Sequence, residues 1–281
     1  MDVIIIGSNE QALSLAVSCI HKADSITFID EDEDSLEFLQ DEVEHVYKER
    51  LGFKKKFKFT SELDIDHNQP VLVFDYLPDN EEKLSYLKKS KIETPNGSVF
   101  FTTSKVYSVT KIASHLHDPR NVVGLQYLQS FEKSKVIELV KGIHTSTKAL
   151  EKAKWLMGEL GKEMNIVKDS PGFLLNRMTI VLINEAIHLL NEGISTPHEI
   201  DKEMELGLGL VAGPLRLADQ IGLDIIINML NSLYQGTGNP KFLPCSLLQN
   251  MVYSGYLGKK TNSGFYSYSA EILNFPHLKV Y

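Results

Sequence analysis

Cysteine is nearly missing from the 281 residues: only Cys19 and Cys245 occur, far apart in the chain. Such a pair builds neither a disulfide framework nor a CxxC metal or redox site, and it suits a reducing cytoplasm. Long apolar runs are missing too. No window approaches the about 18 residues of a membrane span, and the N-terminus lacks a basic segment followed by a cleavage site, so the expectation is neither secretion nor membrane insertion. Positive charge is in deficit, with 29 basic against 37 acidic residues and a formal charge of −8. That sign argues against nucleic acid or an anionic membrane as the main partner. The nine histidines form no HxxxH or HExxH pair, and His115-x-His117 is too slight for a metal site. What is present is ordinary for a globular chain, 43% hydrophobic and 23% charged, at a length suited to two domains or one large one.

The first thirty residues form the clearest unit. Val3-Ile4-Ile5-Ile6 runs into a turn at Gly7-Ser8-Asn9, then a stretch with Leu13, Ala16, Val17 and Ile20 at helical spacing, then Ile26-Thr27-Phe28-Ile29 ending on Asp30. Uniformly apolar strands are buried on both faces, as parallel strands are, so the reading is a βαβ crossover. Further apolar runs at Val71–Phe74, Val99–Phe101, Val122–Leu125 and Val136–Val140 predict a parallel sheet continuing to about residue 168. Thereafter helical periods dominate. A helix is expected from Asp169-Ser170-Pro171-Gly172 with Phe173, Ile180, Ile183, Ile187 and Leu190 on one face and Gly193 at its end. Thr196-Pro197-His198-Glu199 has the form of a capped restart, and three more helices are expected around Pro214–Gln220, Leu223–Tyr234 and Ser246–Tyr253. The expectation is an α/β Rossmann domain over residues 1–168 followed by an all-α C-terminal domain over 169–281.

A strand, glycine turn and helix place backbone N–H groups and the positive end of a helix where a pyrophosphate can sit. In the Gly-x-Gly-x-x-Gly/Ala fingerprint, Gly7, Asn9 and Ala12 hold the three positions. Asn is the non-glycine best suited to a left-handed turn, yet its side chain obstructs the closest phosphate approach, and Glu10 adds a negative charge there. An α/β turn that binds nothing stays open beside a dinucleotide site. Asp30, 23 residues beyond Gly7, suits the adenosine ribose hydroxyls. Its neighbours Glu31, Asp32, Glu33 and Asp34 select NAD over NADP, or form the first turn of a solvated helix.

With these elements placed, the chain resembles the short-chain 3-hydroxyacyl-CoA dehydrogenase family, including 3-hydroxybutyryl-CoA dehydrogenases, over nearly its whole length. Asp169-Ser170-Pro171-Gly172-Phe173-Leu174-Leu175-Asn176-Arg177 is similar to the family's D-x-PGF-x-x-NR segment. Asn184-Glu185-Ala186, Gly213-Pro214-Leu215, Ala218-Asp219-x-Ile221-Gly222-Leu223-Asp224, and Gly255-Tyr256-Leu257-Gly258-Lys259-Lys260-Thr261 with Gly264-Phe265-Tyr266 follow in order. The resemblance implies a Rossmann domain, a helical domain that makes a homodimer, an acyl-CoA ligand, and NAD-linked interconversion of 3-hydroxyacyl-CoA and 3-ketoacyl-CoA in fatty-acid type metabolism. The family uses a His base oriented by a Glu, with a Ser and an Asn touching the reacting groups. Gly124-Leu125-Gln126-Tyr127-Leu128-Gln129-Ser130 matches the family's G-[ML]-HFFNP, which puts Gln126 at the base. Glu138, 12 residues on, takes the place of the Glu, Asn176 that of the Asn, and Lys105 that of the Ser. Asp30 and Lys83 match cofactor contacts, whereas Pro78 replaces a Glu on the nicotinamide side.

Physical chemistry weighs on each residue separately. Glu138 is the only charge within Val136–Val140, so it calls for a dedicated partner, and taken alone it also reads as a structural ion pair or strand-edge hydrogen bond. Asn176 shares a stripe with Phe173, Ile180 and Ile183, which points its amide inward, as a site residue or a satisfied core amide. Gln126 can hydrogen-bond but cannot take a proton at neutral pH, and general-base catalysis is worth about 10²–10⁴ in rate. Lys105, if desolvated, offers an alternative base; otherwise it is a surface lysine or phosphate contact. The basic stretch Lys54–Lys58 suits the anionic end of CoA or a solvated helix face. Two functions are therefore expected from the sequence: a slow or altered oxidoreductase, or a catalytically inactive dimeric homologue that binds acyl-CoA or NAD.

Overall fold

The computed structural model describes residues 1–47, 57–63, 69–90, 92–93, 95–128 and 130–268. Of the basic stretch, Lys54, Lys55 and Lys56 lie outside the described residues, as does Gln129. The chain divides into two compact units, Met1–Leu175 and Asn176–Tyr281.

The first unit is an eight-stranded sheet in the order β3-β2-β1-β4-β5-β6-β7-β8. In chain order its elements are β1 (Asp2–Ile6), α1 (Glu10–Cys19), β2 (Ser25–Ile29), α2 (Glu33–Tyr47), β3 (Phe57–Thr60), β4 (Val71–Asp75), α3 (Glu81–Lys89) and β5 (Val99–Thr102). Then come α4 (Val109–Ala113), β6 (Val122–Gln126), β7 (Val136–Lys141), α5 (Thr147–Glu159) and β8 (Glu163–Lys168). The alternation of β1 shows why its apolar run is continuous. Val3 and Ile5 belong to one core with Ala12, Leu15 and Ala16 of α1, while Ile4 and Ile6 belong to another with Leu84, Leu87 and Ile112. Both faces of the strand are covered, so period 2 leaves no polar positions.

The expected all-parallel sheet is corrected at one place. β6 pairs with β7 antiparallel, after which β7 and β8 pair parallel. The described residues between β6 and β7 hold no crossover helix, and a short return brings a strand back beside its predecessor in the opposite direction.

The second unit opens with α6 (Leu175–Asn191), followed by α7 (Pro197–Leu208), α8 (Pro214–Ile221), α9 (Leu223–Thr237) and α10 (Ser246–Tyr253). Ile180, Ile183, Ile187, Leu215, Leu223, Ile226, Leu230, Phe242 and Leu248 make one core. α7 has the expected capping box: the Thr196 hydroxyl accepts from the Glu199 N–H and the Glu199 carboxylate accepts from the Thr196 N–H. α6 begins later than the sequence suggests. Gly172 and Phe173 take φ of +71° and +50°, a left-handed turn that ends before helical dihedrals begin at Leu175.

Candidate functional site

The glycine turn sits where β1 lies between β2 and β4, the point at which the strand order reverses direction. Gly7 has φ +104°, and a Cβ there would lie 2.9 Å from the carbonyl carbon of Tyr76 and 3.1 Å from the Leu77 nitrogen. The loops after β1 and β4 therefore touch, and only glycine allows it. Asn9 is not left-handed as its place in the fingerprint suggested. It is extended, φ −116° and ψ 171°, and serves as the N-cap of α1, its Oδ1 accepting from the Ala12 N–H at 3.0 Å. Its Nδ2 donates to the Tyr76 carbonyl at 2.7 Å. Ala12 is fully buried and fits the third position without strain.

Asp30 ends β2 beside this turn, with Oδ2 accepting from the Ser8 N–H at 2.9 Å and hydroxyl at 2.6 Å, and Oδ1 from the Asp32 N–H at 3.1 Å. Glu33 and Asp34 form the exposed first turn of α2, where negative charge favours the helix. Gly7, the α1 N-terminus and Asp30 thus supply the turn, donors and carboxylate that fit an NAD adenosine diphosphate, with Asn9 and Ser8 bonded across the same ground.

Lys83 lies at the start of α3, beside the loops after β4 and β5. Its side chain is wholly buried and its Nζ donates to Asp75 Oδ2 at 2.9 Å, the Thr103 carbonyl at 2.7 Å and the Leu77 carbonyl at 3.3 Å, with Asp79 Oδ1 at 3.4 Å. Burial opposes the ammonium charge, but Asp75 and Asp79 outweigh it and hold Lys83 above the usual lysine value. Asp75 is completed by the Thr102 hydroxyl at 2.7 Å and the Leu77 N–H at 3.1 Å; burial pushes its carboxyl up, against the pull of Lys83. This cluster fixes the loops after β4 and β5. The sequence reading missed Asp75, although a lone carboxylate ending the apolar run Val71–Asp75 is the same signal that singled out Glu138.

Gln126 and Glu138 are brought together as directly opposed residues of β6 and β7, both buried. Gln126 Nε2 donates to the Tyr127 carbonyl at 3.1 Å. Glu138 accepts from the Leu175 N–H at 2.7 Å and more weakly from the Leu174 N–H at 3.4 Å. Burial raises its carboxyl and these donors counter the rise. Lys105 follows β5 with an exposed side chain, its backbone N–H donating to Asp79 Oδ2 at 2.6 Å. Asn176 is buried at the start of the second unit, in α6. Tyr76 and Tyr127, also missed from sequence, share a buried bond between their hydroxyls at 2.6 Å. Among the described residues no group of His, Cys, Asp and Glu could hold a metal, and no helix is long and apolar enough to cross a membrane.

Other motif residues turn out to build the fold. Asp169 accepts from the Val109 and Thr110 N–H groups at 3.0 and 2.8 Å, capping α4. Asp219 accepts from the Phe265 and Tyr266 N–H groups, each at 3.0 Å. Asp201, outside those motifs, does the same for Leu215 and Arg216 at 2.8 and 2.9 Å.

Comparison with known proteins follows the same division. The model of the 3-hydroxyacyl-CoA dehydrogenase NAD binding domain matches residues 2–170, and that of the 3-hydroxyacyl-CoA dehydrogenase C-terminal domain matches 172–268. A probable 3-hydroxybutyryl-CoA dehydrogenase of Bacillus subtilis is 36% identical over 174 residues, 62% of this chain and 61% of that relative. One of Deinococcus radiodurans is 33% identical over 215 residues, 76% of this chain and 77% of its own length. The solved (S)-3-hydroxybutyryl-CoA dehydrogenase of Ralstonia eutropha superposes with TM-score 0.83 at 29% identity, covering 95% of this chain and 99% of that one. The chain spans 61% and 59% of the lengths of the Bacillus subtilis and Bradyrhizobium diazoefficiens relatives. A sheet with its glycine turn at the switch point, a helical unit tied by motif aspartates, and two family models that together run from residue 2 to 268 lead to one conclusion: the chain belongs to the 3-hydroxyacyl-CoA dehydrogenase family.

Proposed function

We propose that the protein is an NAD-linked oxidoreductase that interconverts 3-hydroxyacyl-CoA and 3-ketoacyl-CoA, in fatty-acid type metabolism of the cytoplasm, and that it turns over slowly. The opposed pair Gln126 and Glu138 carries this reading. Bound NAD would supply the hydride acceptor, held by the Gly7 turn, the α1 N-terminus and Asp30. The substrate hydroxyl must also lose a proton, and the Gln126 amide can orient that oxygen but not take the proton. Glu138 is the nearest ionisable group in the strand register, and a carboxyl raised by burial is a better base than a solvated one. With Lys105 exposed, proton removal falls to Glu138 through an ordered water. Consumption of NADH with acetoacetyl-CoA, lost in Glu138→Ala and kept in Lys105→Ala, is the expected result; no turnover above a buffer blank at high enzyme concentration overturns it.

One observation favours a second reading, a non-catalytic homologue that binds acyl-CoA or NAD: the residue at the base position cannot be protonated. Calorimetric binding of an acyl-CoA without any turnover would support it. In either case a homodimer through the second unit is part of the proposal, supported by the exposure of Leu206, Leu208 and Val211, at 76%, 69% and 93%.

A further inference from the structure

We propose that Asn9 is an affinity-determining latch: its side-chain amide straps the N-terminus of α1 to the loop after β4, and a dinucleotide must displace that strap to settle on the glycine turn. The inference rests on the NAD reading above and goes beyond it to the residue that sets the affinity. Both ends of the amide are in use, Oδ1 on the Ala12 N–H at 3.0 Å and Nδ2 on the Tyr76 carbonyl at 2.7 Å, so its orientation is fixed. The strap crosses the ends of β1 and β4, which pair directly with Ile6 opposite Asp75. That is the switch point where an open α/β sheet receives its ligand.

Three neighbouring features act in the same direction. Asn9 uses one of the N-terminal N–H groups that would otherwise meet a phosphate. The exposed Glu10 carboxylate stands in the first turn, where it stabilises the helix and repels an anion. On the other side of the turn, Ser8 donates twice to Asp30 Oδ2, the carboxylate suited to the ribose hydroxyls. Ser8 and Asn9, the two residues between Gly7 and Glu10, are thus bonded across the crevice to the residues that follow β2 and β4 in turn.

A residue that only caps the helix and one that also latches the crevice are separated by Asn9→Ser. Serine caps a helix about as well as asparagine, but its hydroxyl is too short to reach the Tyr76 carbonyl. Titration of wild type and Asn9→Ser with NADH, followed by nucleotide fluorescence and calorimetry, is expected to give a dissociation constant about fivefold lower in the variant, the worth of one net hydrogen bond. Amide exchange at Ala12 should stay protected in the variant, which reports the retained cap. Binding by the variant alone would also support the latch. Equal or weaker binding by the variant, with wild type binding NADH, overturns the latch and leaves the NAD reading standing. No binding by either protein overturns both, and Asn9→Gly, which opens the turn fully, gives an independent repeat.

Discussion

Gln126 differs from a histidine by the loss of a titratable nitrogen, and the site around it tells how much that matters. Its amide is buried and bonded to the Tyr127 carbonyl, so it is held in place but has no basic lone pair to offer. Gln126→His with Lys105→Ser is expected to raise acetoacetyl-CoA reduction by about 10²-fold or more if the remaining site is competent, measured as NADH consumption against wild type. Glu138 makes a prediction of opposite character, in stability. Its carboxyl is raised above the ordinary value of 4.5, so the folded state holds the proton to higher pH than the unfolded chain. The contribution is favourable below about pH 4.5 and is lost as pH rises through the folded value. Glu138→Gln should therefore melt with a shallower decline between that pH and neutrality, and unchanged pH slopes would refute it. Lys83, which the resemblance makes a cofactor contact, is also the counter-ion of Asp75. Lys83→Met should cost about 3–5 kcal/mol by leaving a buried carboxylate unpaired. Chemical denaturation measures this, and Asp75→Asn added to Lys83→Met should recover part of the loss.

At the level of elements, two aspartates of the segments that carry the family resemblance are a helix cap and a loop anchor. Asp169 closes α4 through two backbone N–H groups, so Asp169→Ala should destabilise the first unit by about 1–3 kcal/mol, read from its thermal transition. In the second unit, Gly264 packs directly on the Asp219 carboxylate, so that any Cβ would collide with it. Gly264→Ala should lower the melting temperature by the equivalent of about 1–3 kcal/mol while leaving NADH titration of the first unit unchanged. Most of this architecture was legible beforehand. Continuous apolar runs give buried strands, and Thr196-Pro197-x-Glu199 gives a capping box, because both are local patterns. The β6–β7 reversal was not, since an apolar run has no direction and only the missing crossover helix decides it. Nor was the late start of α6, where Gly172 and Phe173 take a left-handed turn ahead of the helix.

For the whole molecule, the net charge of −8 and the exposed apolar residues of the second unit bear on assembly. A homodimer should appear in sedimentation, and Leu206→Glu with Val211→Glu should give a monomer, whereas a dimer that survives both changes places the interface elsewhere. The sequence by itself determined the fold class, the family, and a glutamine, Gln126, where the resemblance implies a histidine, because these follow from pattern and residue identity. Tertiary structure alone decided what the polar side chains of the candidate site are bonded to. Asn9 became a strap to Tyr76, Lys83 the partner of Asp75, and Glu138 an acceptor for Leu174 and Leu175. The partners of Asn9 and Glu138 lie tens of residues away in the chain, and a hydrogen bond depends on distances of a few ångströms that no local pattern encodes.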